Sequence, residues 1–185
     1  MMRAAYRWIA VAAALSCAAC NTKVNQIKVD PQRLHTPASR QAPAALRLPA
    51  LACAYRLKDV VDARPAGDHS GGLGRHQLMI GDAPALVRSQ LLKAGLQPAE
   101  ASSGAEVSIE IKQLYLTQNQ VSKIPVAVYR ARIGDQAPFV LRAQQTNMNW
   151  NSSQNEAHDA LARALQDVNV RLLTALNERC AGKKS

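Results

Sequence analysis

The pattern of the chain predicts an α+β domain of two layers: an antiparallel sheet of about four strands with two helices packed on one face, in the order β-α-β-β-β-α. Three observations predict it. Two stretches carry apolar residues at helical spacing, four others alternate apolar with small or polar residues, and the last three strands follow one another through short connections.

The first strand is read over residues 51 to 62, where Leu51, Cys53, Tyr55 and Leu57 alternate with smaller or polar neighbours before the Asp62-Ala-Arg-Pro65 turn. Gly67 to Gly74 holds four glycines and reads as an exposed loop. Asp82 is placed to cap a helix with Pro84 in its first turn, Leu86, Val87, Leu91 and Leu92 on one face, and Gly95 as its stop. Strands follow over Glu106 to Leu116, Pro125 to Ile133 and Pro138 to Trp150. In the first of these, Val107, Ile109 and Ile111 are out of phase with Leu114 and Leu116, which predicts a bulge or an edge. Ser153-Gln-Asn-Glu156 matches a capping box, and Ala157, Leu161, Ala164, Leu165, Val168, Leu172 and Leu176 form the stripe of a long last helix.

Of the 185 residues, with a net charge of +10, 21 to 50 carry Lys23, Lys28, Arg33, Arg40 and Arg47 against Asp30 alone. This segment also holds Pro31, Pro37, Pro43 and Pro49 without a sustained period, and reads as a solvated basic tether that could meet anionic lipid or lipopolysaccharide phosphates. Nucleic acid is not expected as a partner, because no aromatic residues interleave with the arginines. With aromatics at 4%, the core must be aliphatic.

The first residues have the three-part layout of a secretory signal: Arg3 and Arg7, then the apolar run Trp8 to Leu15, then the small residues Ser16-Cys-Ala-Ala-Cys20. The run is too short to span a bilayer as a helix. A cysteine directly after small residues resembles the lipobox of bacterial lipoproteins. That resemblance implies cleavage before the cysteine, a lipid on its sulfur, and, with Asn21 rather than Asp following, retention in the outer membrane. Cys20 is preferred and Cys17 is the alternative, because cleavage at Cys20 leaves Cys53 and Cys180 as an even pair for a disulfide in an oxidising compartment. The expected organisation is therefore a signal over 1–19, a lipidated tether over 20–50, and one domain over 51–185.

Chemistry-bearing patterns are sparse. His35, His69, His76 and His158 have no metal-ligand spacing, Gly71-Gly-Leu-Gly-Arg75 lacks the ending of a phosphate loop, and no nucleophile elbow occurs. No catalytic residue, cofactor or metal is expected. Asp62 and Arg64 suit either a substrate clamp or a turn-stabilising ion pair, and Arg64, Arg75, Arg130, Arg132 and Arg142 are the candidate contacts for an anion or partner.

The run Val60-Val-Asp-Ala-Arg64, the glycine loop, Ala85-Leu-Val-Arg-Ser-Gln-Leu-Leu-Lys-Ala-Gly95, the Val-x-Ile-x-Ile strand and the long last helix resemble the YajG-like family of outer-membrane lipoproteins over residues 55 to 178. The resemblance implies fold and location, not an activity. The expected function is that of a non-catalytic envelope protein, anchored to the membrane by its lipid, whose exposed sheet face or edge receives a periplasmic or outer-membrane protein. The alternative is a carrier of lipid or lipopolysaccharide, which would need an apolar cavity between helices and sheet.

Overall fold

The computed structural model of the protein describes residues 24–34, 47–65, 67–148 and 150–181. Cys17, Cys20 and His35 lie outside them. The elements in order are β1 (Asn25–Lys28), a 3-10 turn (Pro31–Leu34), β2 (Tyr55–Asp62), β3 (His69–Leu73), β4 (His76–Met79), α1 (Ala83–Lys93), β5 (Gln97–Pro98), β6 (Ala105–Gln118), β7 (Ser122–Ile133), β8 (Phe139–Gln144), β9 (Asn147–Met148) and α2 (Gln154–Ala181).

The α+β class with two helices stands, but the sheet is larger and differently paired than the sequence predicts. Among the described residues it has nine strands, and it is mixed. β6 is the spine: along one edge it pairs parallel to β2, from Ala105 to Ile111, and then to β3 at Leu116, while the other edge is antiparallel to β7. β2 and β6 run parallel because the β3–β4 hairpin and α1 intervene as a crossover. β8 and β9 add to β7, and the break between them divides what reads as a single strand over 138 to 150.

Two other expectations need correction. The stretch 25–34 is part of the domain and not of a tether: β1 pairs parallel to β4, and Ile27, Val29 and Leu34 are buried in the core. The glycine run is a strand and not an exposed loop. Gly71, at φ +76°, approaches β6 so closely that a Cβ would sit 2.0 Å from the Leu116 carbonyl oxygen. Only glycine permits that contact, so the residue that looks like a loop signal is a packing requirement.

Both helices cover one face. Tyr55, Leu57 and Val60 of β2, Val107, Ile109, Ile111, Leu114 and Leu116 of β6, and Ala127, Tyr129 and Ala131 of β7 meet Leu86, Val87 and Leu91 of α1 and Leu161, Leu165, Val168, Leu172 and Leu176 of α2. The phase change along β6 is a bulge between Ile111 and Gln113, which restores the inward direction of Leu114 and Leu116. Tyr55 donates from its hydroxyl to the Leu176 carbonyl at 2.8 Å, and Asn169 of α2 donates to Gln90 of α1 at 2.8 Å, locking the helical layer. Burial raises the Tyr129 phenol far above its ordinary pKa, so it stays neutral and bonds Asn169 Oδ1 at 3.3 Å.

The helix ends follow their signals. Asp82 Oδ1 accepts from the Ala85 amide at 2.9 Å, and Gly95 at φ +107° ends α1 while the Leu96 amide returns to the Leu91 carbonyl. Cys53 and Cys180 form a disulfide with Cα atoms 6.0 Å apart, inside the usual range for a bridge. Asn177 reinforces it, bonding the backbone of both Ala50 and Ala52. Among the described residues no helix is long and apolar enough to cross a membrane.

Candidate functional site

The face of the sheet away from the helices takes the alternate residues of β2, β6, β7 and β8, and these include Arg56, Lys58, Glu106, Glu110, Lys112, Arg130, Arg132 and Arg142 beside uncharged Ser108 and Val140. Glu106 lies between Arg56 (2.8 Å) and Lys58 (2.9 Å), and its carboxyl is held below the usual range by the Lys58 hydrogen bond and charge, which outweigh the effect of burial. Glu110 pairs with Arg130 across the β6–β7 ladder at 3.2 Å and with Lys112 at 3.7 Å. These pairs are well exposed, so each contributes little to stability. They do set an excess of positive charge, since Arg132 has no carboxylate partner among the described residues and Arg142 bonds only the amide oxygens of Gln144 and Gln113.

A depression of about 230 Å³ opens in this face. Asp59, Ser108 and Arg132 are register neighbours on three adjacent strands, and the small Ser108 forms the floor. Oδ1 of Asp59 is buried there without a hydrogen-bond partner among the described residues. Beyond Arg130 and Arg132 lies β8, which among the described residues pairs only with β7, on one side. Its free edge carries exposed Val140 and Arg142.

The other two candidate arginines are elsewhere. Arg75 is exposed in the β3–β4 turn. Arg64, also offered as a partner or anion contact, is buried just after the end of β2. Its guanidinium is buried and makes four hydrogen bonds: Nε to Asp62 Oδ1 (2.8 Å), Nη2 to Asp62 Oδ2 (2.7 Å) and to the Ile80 carbonyl (2.9 Å), and Nη1 to Ser70 Oγ (2.9 Å). Of the two readings of Asp62 and Arg64, the structural ion pair is the one observed. The Arg64 hydrogen bond, stronger here than desolvation, lowers the Asp62 pKa.

The three described histidines do not converge. His69 tilts against Tyr115, and His76 lies 3.2 Å from the Asn25 side chain. Buried His158 accepts the Asp30 amide at Nε2 (3.3 Å) while Nδ1 lies 2.8 Å from the Gln154 carbonyl, an arrangement that assigns the Nδ1–H tautomer. Among the described residues no cluster of three or more His, Cys, Asp or Glu side chains could hold a metal.

The sequence reading missed one polar centre. Glu156, at the third position of α2, accepts from the amides of Trp150 (2.9 Å) and Asn151 (3.2 Å) and forms an ion pair with Lys123 of β7, whose Nζ also donates to the Met148 carbonyl (2.7 Å). Burial by itself would raise the Glu156 pKa, but Lys123 and the two amides together lower it. Only half of the capping box forms: the Glu156 amide donates to Ser153 Oγ, whereas the Glu156 carboxylate turns to β7 and the preceding loop. The available signal was a lysine at the start of an apolar strand.

No protein-family model matches the chain, and no curated protein matches it. Solved structures match in fold. Protein XCC0632 of Xanthomonas campestris, from the family DUF330, is similar with a TM-score of 0.51 at 12% identity, covering 86% of this chain and 98% of its own. An uncharacterized protein has a TM-score of 0.46 at 9% identity, with coverage of 70% and 95%. A minor lipoprotein of Acinetobacter baumannii has a TM-score of 0.36 at 12% identity, with coverage of 69% and 92%. At such identities the likeness is one of fold.

Proposed function

We propose that the protein is a non-catalytic envelope lipoprotein that receives an extended, acidic segment of a protein partner along the free edge of β8. The carrying observation is the β8 edge, unpaired among the described residues, lying beside Arg130, Arg132 and Arg142. An unpaired strand presents a row of backbone donors and acceptors that an incoming strand can complete, and neighbouring arginines favour a strand of negative charge. The same proposal includes an export signal over 1–19, a lipid on Cys20 or Cys17, location in the outer membrane facing the periplasm, and kinship with the YajG-like family. The Cys53–Cys180 bridge supports an oxidising compartment. No observation favours the lipid-carrier alternative, because the space between helices and sheet is filled by side chains such as Leu57, Ile109, Leu165 and Leu172.

The test is a photo-crosslinking residue placed at Val140 in intact cells, with Thr174 on the exposed side of α2 as the control position. A discrete adduct at 140, absent at 174 and lost when Arg132→Glu and Arg142→Glu are combined, supports the reading. Absence of any adduct at 140 rejects it.

A further inference from the structure

The strand register gathers four exposed apolar side chains at one end of the domain. β3 ends beside the end of β6, where the Gly74 amide donates to Gln118 at 2.8 Å, and β4 begins there. β1 starts level with β4, and the Asn25 amide donates to the Arg75 carbonyl at 2.9 Å. The β6–β7 turn carries Val121, and β9 pairs Met148 with Ser122 at the start of β7. Val24, Val121, Met148 and Trp150 therefore share this end, at 64%, 67%, 60% and 78% exposure. They stand on turns and strand ends with Arg75 beside them.

We propose that this end of the domain seats on a phospholipid bilayer, with Trp150 and Met148 entering the headgroup and upper acyl region. The inference rests on the lipid-anchor reading and goes beyond it, since an anchor alone leaves the domain free to turn. Three arguments select a membrane over a protein. The chain reaches Val24 only four residues after Cys20, a span of roughly 14 Å even when fully extended, so an acylated Cys20 would hold this end close to the lipid. An indole beside aliphatic and thioether side chains suits the boundary where one side is apolar and the other wet. Arg75 can meet lipid phosphates. The orientation also leaves the β8 edge on the side wall of the domain, open to a partner.

The full-length chain carrying Trp8→Phe has Trp150 as its single tryptophan. Purified from membranes and reconstituted into phosphatidylethanolamine–phosphatidylglycerol vesicles whose acyl chains are brominated near the headgroup, it should show blue-shifted emission and about a twofold or greater loss of intensity, as expected for an indole at the interface. Combining Val121→Ser with Met148→Ser should relieve the quenching while leaving the urea midpoint unchanged. The acyl mass of the same sample is read by mass spectrometry. Acylated protein with water-like, unquenched Trp150 overturns the proposal and leaves the anchor standing. Quenching without acyl mass upholds the seating and rejects the anchor. Trp150 shielded from acrylamide yet unquenched by bromine means that a protein or a second copy covers it, which also overturns the proposal.

Discussion

Lys123 and Glu156 form a largely buried ion pair that fastens the start of β7 to the first turn of α2. Glu156→Gln leaves the ammonium of Lys123 buried without its counter-charge and should cost about 3 kcal/mol, read as a lower urea midpoint at neutral pH. Lys123→Met combined with Glu156→Gln should recover part of that loss.

The same pair predicts a pH dependence. The folded-state pKa of Glu156 is lowered, so its contribution is fully present above the ordinary glutamate value of about 4.3 and is lost as pH falls through the lower folded value. Urea midpoints measured from pH 7 down to pH 3 should fall across that window, and Glu156→Gln should flatten the part of the curve that this residue supplies.

Arg64 holds together β2, β3 and the chain after β4. Arg64→Lys keeps the charge but cannot reproduce the bidentate contact with Asp62 plus the bonds to Ser70 and Ile80, and should destabilise by about 2 to 3 kcal/mol. Partner crosslinking at position 140 should be unchanged in the variant while it remains folded. A loss of crosslinking without a loss of stability would place Arg64 in the interface after all.

Two glycines with positive φ separate backbone preference from close packing. Gly67→Ala meets nothing within 4 Å and should cost only about 1 kcal/mol for its φ of +58°. Gly71→Ala adds a collision with the Leu116 carbonyl and should cost at least about 3 kcal/mol, or prevent folding. Equal midpoints for the two variants would contradict the close approach of β3 to β6.

Reduction of Cys53–Cys180 opens a loop of 127 residues and should lower stability by about 4 to 5 kcal/mol on the chain-entropy argument. The paired variant Cys53→Ala/Cys180→Ala should match the reduced protein and respond no further to dithiothreitol.

Both helices were legible because their signals are local: Asp82 and Ser153 at the starts, Gly95 as a stop, and leucines at helical spacing between them. The bulge in β6 was legible from the phase of five apolar residues. The added strands were not. β1 buries one side chain in four, β5 has two residues, and β3 owes Gly71 to a contact with a strand more than forty residues away. Parallel pairing of β2 with β6 likewise depends on distant partners that no short window contains. At the surface, the exposure of Arg130, Arg132 and Arg142 was legible from their place on strands, whereas the burial of Arg64 was not, because its acceptors Ser70 and Ile80 are supplied by neighbouring segments.

The disulfide also decides how the domain bears mechanical load. β1 and the 3-10 turn lie outside the covalent ring that Cys53 and Cys180 close, and every element from β2 to α2 lies within it. Tension applied at the N-terminus of the domain should therefore peel β1 from β4 and then meet a ring that cannot extend through its full contour. In an optical trap, the oxidised protein should yield in one short step, and the long second extension should emerge only after reduction.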